Sequence, residues 1–221
     1  ANEATPIASY LISGGVFGGD NFLNIRLQAL DLYPDGVTFP HVTAMYYDDI
    51  SIKPGGGGPP GTSDCSGDGS GAPCGCGNNG AAGEGCENST GDGAILDGSG
   101  VASLTADTLV LSATQTTNQP GVFFQGDITI AGGAGVTFGD GIRCAGQNVV
   151  RIGTYGATGN ATDTATGNLI GGIGPPIGSH PGNAGLSAGD SRTYQWWYRD
   201  PGGPCGGSFN LSNAYVVPWG A

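Results

Sequence analysis

The sequence predicts an all-β protein, and three observations lead there. Glycine is the commonest residue, 46 of 221, with 14 prolines beside it. Each glycine inside a helix costs about 1 kcal/mol relative to alanine, so this composition disfavours helices. No long segment carries a 3.6-residue apolar period. What recurs instead is apolar/polar alternation over short runs bounded by Gly, Asn, Asp and Pro, the pattern of strands and turns.

The strands follow in order. In "FLNIRLQALDLY", Leu23, Ile25, Leu27 and Ala29 share one face while Asn24, Arg26 and Gln28 take the other. In "HVTAMYYDDISI", Val42, Ala44, Tyr46, Ile50 and Ile52 alternate with Thr43, Met45, Tyr47, Asp49 and Ser51. "IASYLISGGVF" is a third candidate, bulged or turned at Gly14-Gly15. Residues 1–53 thus form a short N-terminal β segment, an incomplete sheet with an apolar face to cover. Residues 54–93 follow as a Gly/Pro/Cys-rich linker with no Leu, Ile, Val, Phe, Tyr or Trp. Such a stretch buries too little apolar surface to offset its ordering entropy, so cross-links, an ion or a neighbouring surface must order it.

Residues 94–221 read as a C-terminal antiparallel β-sandwich, jelly-roll or Ig-like. Its candidate strands are "GVASLTA", "TLVLSAT", "GVFFQGDITI", "GVTFGDGIRCAG", "NVVRIGTYG", "TYQWWYRD" and "FNLSNAYVVPW". Seven short strands with turn residues between them fit that architecture. The glycine-rich excursion over residues 157–191 reads as a long surface loop.

Charge and cysteine bound the function. The formal net charge is −12, and Lys53 is the only lysine. An acidic surface repels phosphate backbones, which argues against nucleic acid as a partner. No apolar run approaches the ~20 residues a membrane-spanning helix needs. The first residues, "ANEATP", read either as a mature end left by signal removal or as a cut in a longer protein. Six cysteines, Cys65, Cys74, Cys76, Cys86, Cys144 and Cys205, point to disulfides and an oxidising compartment, extracellular or at the cell surface. Zinc is disfavoured because Cys74 and Cys76 form C-x-C and no histidine lies near. Fifteen pairings are open. The expectation is that Cys144 pairs with Cys205 and that the other four cross-link one another, Cys74 and Cys76 going to different partners.

The motifs "CGCGNNGAAGEGCENS", "GVFFQG", "FGDGIRCAG" and "YQWWYRDP…FNLSNA" together resemble a domain found at the C-terminal ends of large secreted proteins of environmental bacteria. The resemblance spans roughly Cys65 to Trp219. It implies a cysteine-bridged β domain with a surface or extracellular location, and no assigned activity. More loosely, "YYDDISI" is similar to the closing strand of jelly-roll modules, many of them carbohydrate-binding. In those an acidic residue of the motif ligates a structural calcium, which here implies Asp48 or Asp49.

Other constellations are sparser. Asp64-x-Ser66-x-Asp68-Gly69 matches the start of an oxygen-rich calcium loop, although position twelve is Gly75 rather than glutamate. No cofactor beyond such a calcium is expected. His41 and His180 are the only histidines. "GLSAG" fits G-x-S-x-G but lacks the strand-to-helix elbow that activates the serine. Asp48 and Asp49, adjacent on a strand, point to opposite faces and cannot flank one glycosidic bond. The chain is therefore expected not to be an enzyme. Trp196, Trp197 and Tyr198 are candidates for a sugar-stacking surface, against the reading that these rings fill a core. Asn88, Asn160 and Asn210 head glycosylation patterns, the last inside an expected strand.

Three covers exist for the incomplete N-terminal sheet: the C-terminal domain of the same chain, the remainder of a larger module, or another copy adding a strand at an open edge. The third is favoured. It predicts a secreted structural protein that self-associates by β-sheet completion into a filament or surface layer. The alternative is an accessory module that binds polysaccharide.

Overall fold

The computed structural model describes residues 59–165, 169–170 and 176–221. The chain divides into two compact units, Ala1–Ser51 and Ile52–Ala221, and everything below concerns the second. The three N-terminal strands, His41, Asp48 and Asp49 lie outside the described residues.

The fold is all-β with antiparallel sheets. Its strands are β1 (Thr62–Asp64), β2 (Ile95–Ser99), β3 (Val110–Thr114), β4 (Gly121–Gly126), β5 (Ile128–Thr129), β6 (Val136–Phe138), β7 (Gly141–Arg143), β8 (Ala145–Gly146), β9 (Val150–Tyr155), β10 (Thr162–Asp163), β11 (Ser191–Arg199), β12 (Phe209–Leu211) and β13 (Ala214–Pro218). The main sheet runs β1-β13-β11-β4-β9, with β12 also pairing along β11. A three-stranded sheet, β10-β3-β2, and the pairs β5-β8 and β6-β7 complete it. Among the described residues the helical turns are short 3-10 pieces at Ile130–Gly133, Ile177–Ser179 and Pro181–Asn183.

Strand β11 explains the core. Tyr194, Trp196 and Tyr198 are buried on one face, where they join Phe123 of β4, Ile152 and Tyr155 of β9, Leu96 and Leu111 of the smaller sheet, and Trp219. Their polar tips find partners, as buried aromatic O–H and N–H groups must. Trp219 Nε1 donates to Tyr194 Oη at 3.1 Å, and Trp196 Nε1 donates to Thr116 Oγ1 at 2.9 Å. The opposite face of β11 is covered as well. Gln195 there is fully buried and satisfied at both ends. Its Oε1 accepts from the backbone of Cys144 and Ala145, and its Nε2 donates to the carbonyls of Ile142 and Ser212. A strand buried on both faces loses clean alternation, and four of the seven residues of "TYQWWYR" are aromatic.

The segment expected as a linker belongs to this unit. Residues 62–64 form edge strand β1 on β13. Cys65, Cys74 and Cys86 are buried with Ile142, Cys144 and Ala214 in a second cluster. Backbone bonds such as Gly67 N to Glu84 O and Gly85 N to Ala94 O tie the segment together. What orders it is cross-linking and hydrogen bonding, since it carries almost no apolar side chains of its own.

The disulfides are Cys65–Cys144, Cys74–Cys86 and Cys76–Cys205. Cys74 and Cys76 do bond to different partners, but the Cys144–Cys205 pairing is corrected. Cys144 sits buried between β7 and β8 beside the residue that follows β1, whereas Cys205 lies in the β11–β12 loop near the surface.

Two further expectations change. "GVASLTA" is not a strand. The strand lies just upstream, at Ile95–Ser99, and ends where Gly100 takes a positive φ of 81°. The excursion over 157–191 is also more than a surface loop, because Ile177 and Asn183 are buried against the core and Asn183 pairs with Gln125.

Candidate functional site

Alternation along β11 sends Trp197 to the face away from Trp196 and Tyr198. Trp196 and Tyr198 are 0% and 1% exposed, so neither can stack a ligand. They are core residues, a correction to the sugar-stacking trio. Only Trp197 is half-buried and available.

Trp197 floors an open groove of about 440 Å³ whose walls include Pro120, Val122, Thr154, Ser208 and Phe209. Three strands build it. β4 supplies Val122, which lies opposite Trp197 on β11 and opposite Thr154 on β9. Phe209 of β12 meets Trp197 edge-on, with centroids 5.7 Å apart. Phe138, reaching over from the β6-β7 hairpin, lies 5.0 Å from Phe209 and 6.1 Å from Trp197. The Arg151 guanidinium sits 5.8 Å from the Trp197 ring centroid, within cation–π range. The indole Nε1 of Trp197 is shielded from solvent and has no hydrogen-bond partner. This surface can take an apolar or aromatic group, or the face of a sugar ring. Sequence reasoning found Trp197 but missed Phe138, Phe209 and Arg151, because their convergence depends on hairpin placement rather than spacing.

The groove borders the last strand of the main sheet. β9 pairs with β4 on one side. On the other side, among the described residues, Leu169 lies opposite Tyr155 and the Ile170 N–H donates to Thr154 O at 2.7 Å, while the 3-10 turn Pro181–Asn183 packs against Val150. The Ile170 bond shows the Thr154 carbonyl pointing away from β4. In an antiparallel strand a residue's N–H points the same way as its C=O.

The remaining sites predicted from sequence are dispersed. Asp64 Oδ1 accepts the Cys65 N–H at 2.8 Å beside an open polar recess formed with Ser63, Ser66, Ser70 and Gly133. Asp68 Oδ1 accepts from Ser70 N and Oγ, and its Oδ2 accepts from Gly83 N. The Ser70 hydroxyl, then the Gly83 and Ser70 amides, hold its carboxyl below the usual range. Asp68 is thus committed to bracing the cysteine segment. No group of three or more His, Cys, Asp or Glu that could hold a metal gathers among the described residues. Ser187 of "GLSAG" lies in a turn before β11, its N–H bonded to Asp190. His180 Nδ1 accepts from Gly182 N. Asn88 and Asn210 are buried, Asn88 donating to Gln115 O and Tyr198 Oη. Only Asn160 of the three acceptor patterns sits partly exposed, at a turn.

Among the described residues no helix is long and apolar enough to cross a membrane. Comparison with known proteins returns no matching family model, no significantly similar curated protein and no significantly similar solved structure.

Proposed function

We propose that the chain is a secreted structural protein, not an enzyme, that self-associates by β-sheet completion between copies. The single observation behind this is the outward-facing backbone of β9 beside an apolar groove; among the described residues that backbone is engaged only near its end, by Leu169 and Ile170. Strand addition uses main-chain hydrogen bonds for affinity and a pocket for alternate side chains for specificity. Here β9 supplies the bonds and the Trp197 groove the pocket. The donors are the alternating segments of residues 1–53 in another copy. Three disulfides suit an extracellular or cell-surface setting, where they persist. A head-to-tail contact that does not close on itself propagates, giving a filament or a surface layer. Negative-stain electron microscopy of the purified chain tests this: filaments or sheets are expected, and discrete particles of one chain at high concentration would refute it.

A second reading rests on Trp197, Phe138 and Phe209 with Arg151 above the indole. An aromatic floor with a polar rim also suits a polysaccharide. Glycan binding that disappears in Trp197→Ala, from a chain that stays monomeric, would favour this reading over assembly.

A further inference from the structure

We propose that Tyr47 and Asp49 of another copy seat in the Trp197 groove, the phenol ring against the indole and the carboxylate between Arg151 and Arg199, a pairing that rests on the assembly proposed above.

The groove carries a charge that is scarce in this chain. Eighteen acids stand against six lysines and arginines. The described residues hold four arginines, Arg143, Arg151, Arg192 and Arg199. Two are occupied within the fold. Arg143 Nε donates to Ala145 O at 3.1 Å, and Arg192 pairs with Asp127 and Asp190. The other two flank the groove. Arg199 lines it and shares a face of β11 with Trp197. Arg151 reaches the Trp197 ring from β9, 5.8 Å from its centroid. Both are exposed, and neither forms an ion pair among the described residues, where such pairs involve Arg192. Two unanswered guanidinium groups beside an aromatic floor make a cationic rim on an acidic protein. Such a rim favours an occupant that joins an aromatic ring to an acid.

The three alternating segments of residues 1–53 differ in what they bring. "IASYLISGGVF" has no charge, and "FLNIRLQALDLY" carries Arg26, which would add a third cation to the rim. "HVTAMYYDDISI" has neither arginine nor lysine and sets two tyrosines directly before two aspartates. On an extended strand Tyr47 and Asp49 point the same way, roughly 7 Å apart. That spacing lays one ring on Trp197 while the acid lies beside the guanidinium already at the indole.

The test follows assembly of the full chain by sedimentation velocity across a concentration series. Arg151→Glu with Arg199→Glu should raise the concentration for half-assembly about tenfold or more, and so should Asp49→Arg, since each turns attraction into repulsion. Near-UV circular dichroism checks that the fold stands. The three substitutions together should recover most of the wild-type assembly, because the charges are exchanged rather than lost. Reversals that leave assembly unchanged, or that weaken it without recovery in the triple variant, overturn the pairing while assembly itself stands. A wild type that never assembles sinks both. Binding of polygalacturonate to that single chain, lost in Arg151→Glu with Arg199→Glu, would then give the rim to an acidic polysaccharide. Should a reversal fail to fold, Arg151→Gln with Arg199→Gln takes its place. Wild-type assembly should weaken with salt and the glutamine variant's should do so less; an equal salt dependence overturns the pairing.

Discussion

Removing the Cys76–Cys205 bridge by a double serine substitution should cost more than its surface position suggests. The other two disulfides join cysteines that are all under a tenth exposed. Cys76, by contrast, is exposed and Cys205 half-buried. The bridge spans 129 residues. In the chain-entropy treatment, closing a loop that long stabilises the fold by about 5 kcal/mol. The Cys65–Cys144 bond already shortens the path between the two cysteines in the unfolded chain to roughly 70 residues, which lowers the figure only to about 4.4 kcal/mol because the dependence is logarithmic. For a domain of this size that is a fall in Tm of roughly 10–15 °C. The bridge also holds the loop that carries the Cys205 and Gly207 amides onto Asp140, so the measured loss should not fall below the entropic figure. Urea unfolding of the oxidised wild type and the double variant, with slopes compared, gives the number. Partial reduction followed by alkylation and mass spectrometry gives the order of opening, with Cys76 and Cys205 labelled first. A loss below about 4 kcal/mol, or prior labelling of Cys65 or Cys144, would refute the reasoning.

Gln195→Leu should cost about 3 kcal/mol or more in urea unfolding, since it takes the Gln195 partner from two buried N–H groups and two carbonyls. A cost under 1 kcal/mol would mean those groups find other partners. Burial pushes the Tyr194 and Tyr198 phenols well above their ordinary value. A raised folded-state pKa means the stabilisation is complete below about pH 10 and is lost as pH climbs further, because the unfolded chain ionises its tyrosines freely. Melting temperatures from pH 8 to pH 11.5 should therefore fall steeply above pH 10. The 295 nm phenolate absorbance of these two residues should appear only with unfolding, and its appearance in the folded chain would contradict their burial.

The all-β class was readable because glycine content and alternation both oppose helices. β11 and β4 were legible from "TYQWWYRD" and "GVFFQG", whose hydrophobicity matches central strands. β2 was hidden, since Asp97 and Gly98 look like turn residues and nothing local shows that Asn213 caps the strand through Leu96 N and O. The cysteine segment looked like a tether because its order comes from bonds to residues far along the chain, such as Cys65 to Cys144, which composition does not display. At the groove, Trp197 was legible from alternation, but the burial of Trp196 and Tyr198 depends on which face meets the smaller sheet.

Assembly through β9 beside the groove is tested most directly by Thr154→Pro. Proline there removes an outward N–H without removing a ladder bond to β4, so the fold should stand. Multi-angle light scattering over a wide concentration range should show wild-type mass growing with concentration and the variant staying at one chain, with equal Tm. A variant that assembles as wild type does, or a wild type that stays at the mass of one chain throughout, would contradict assembly through β9.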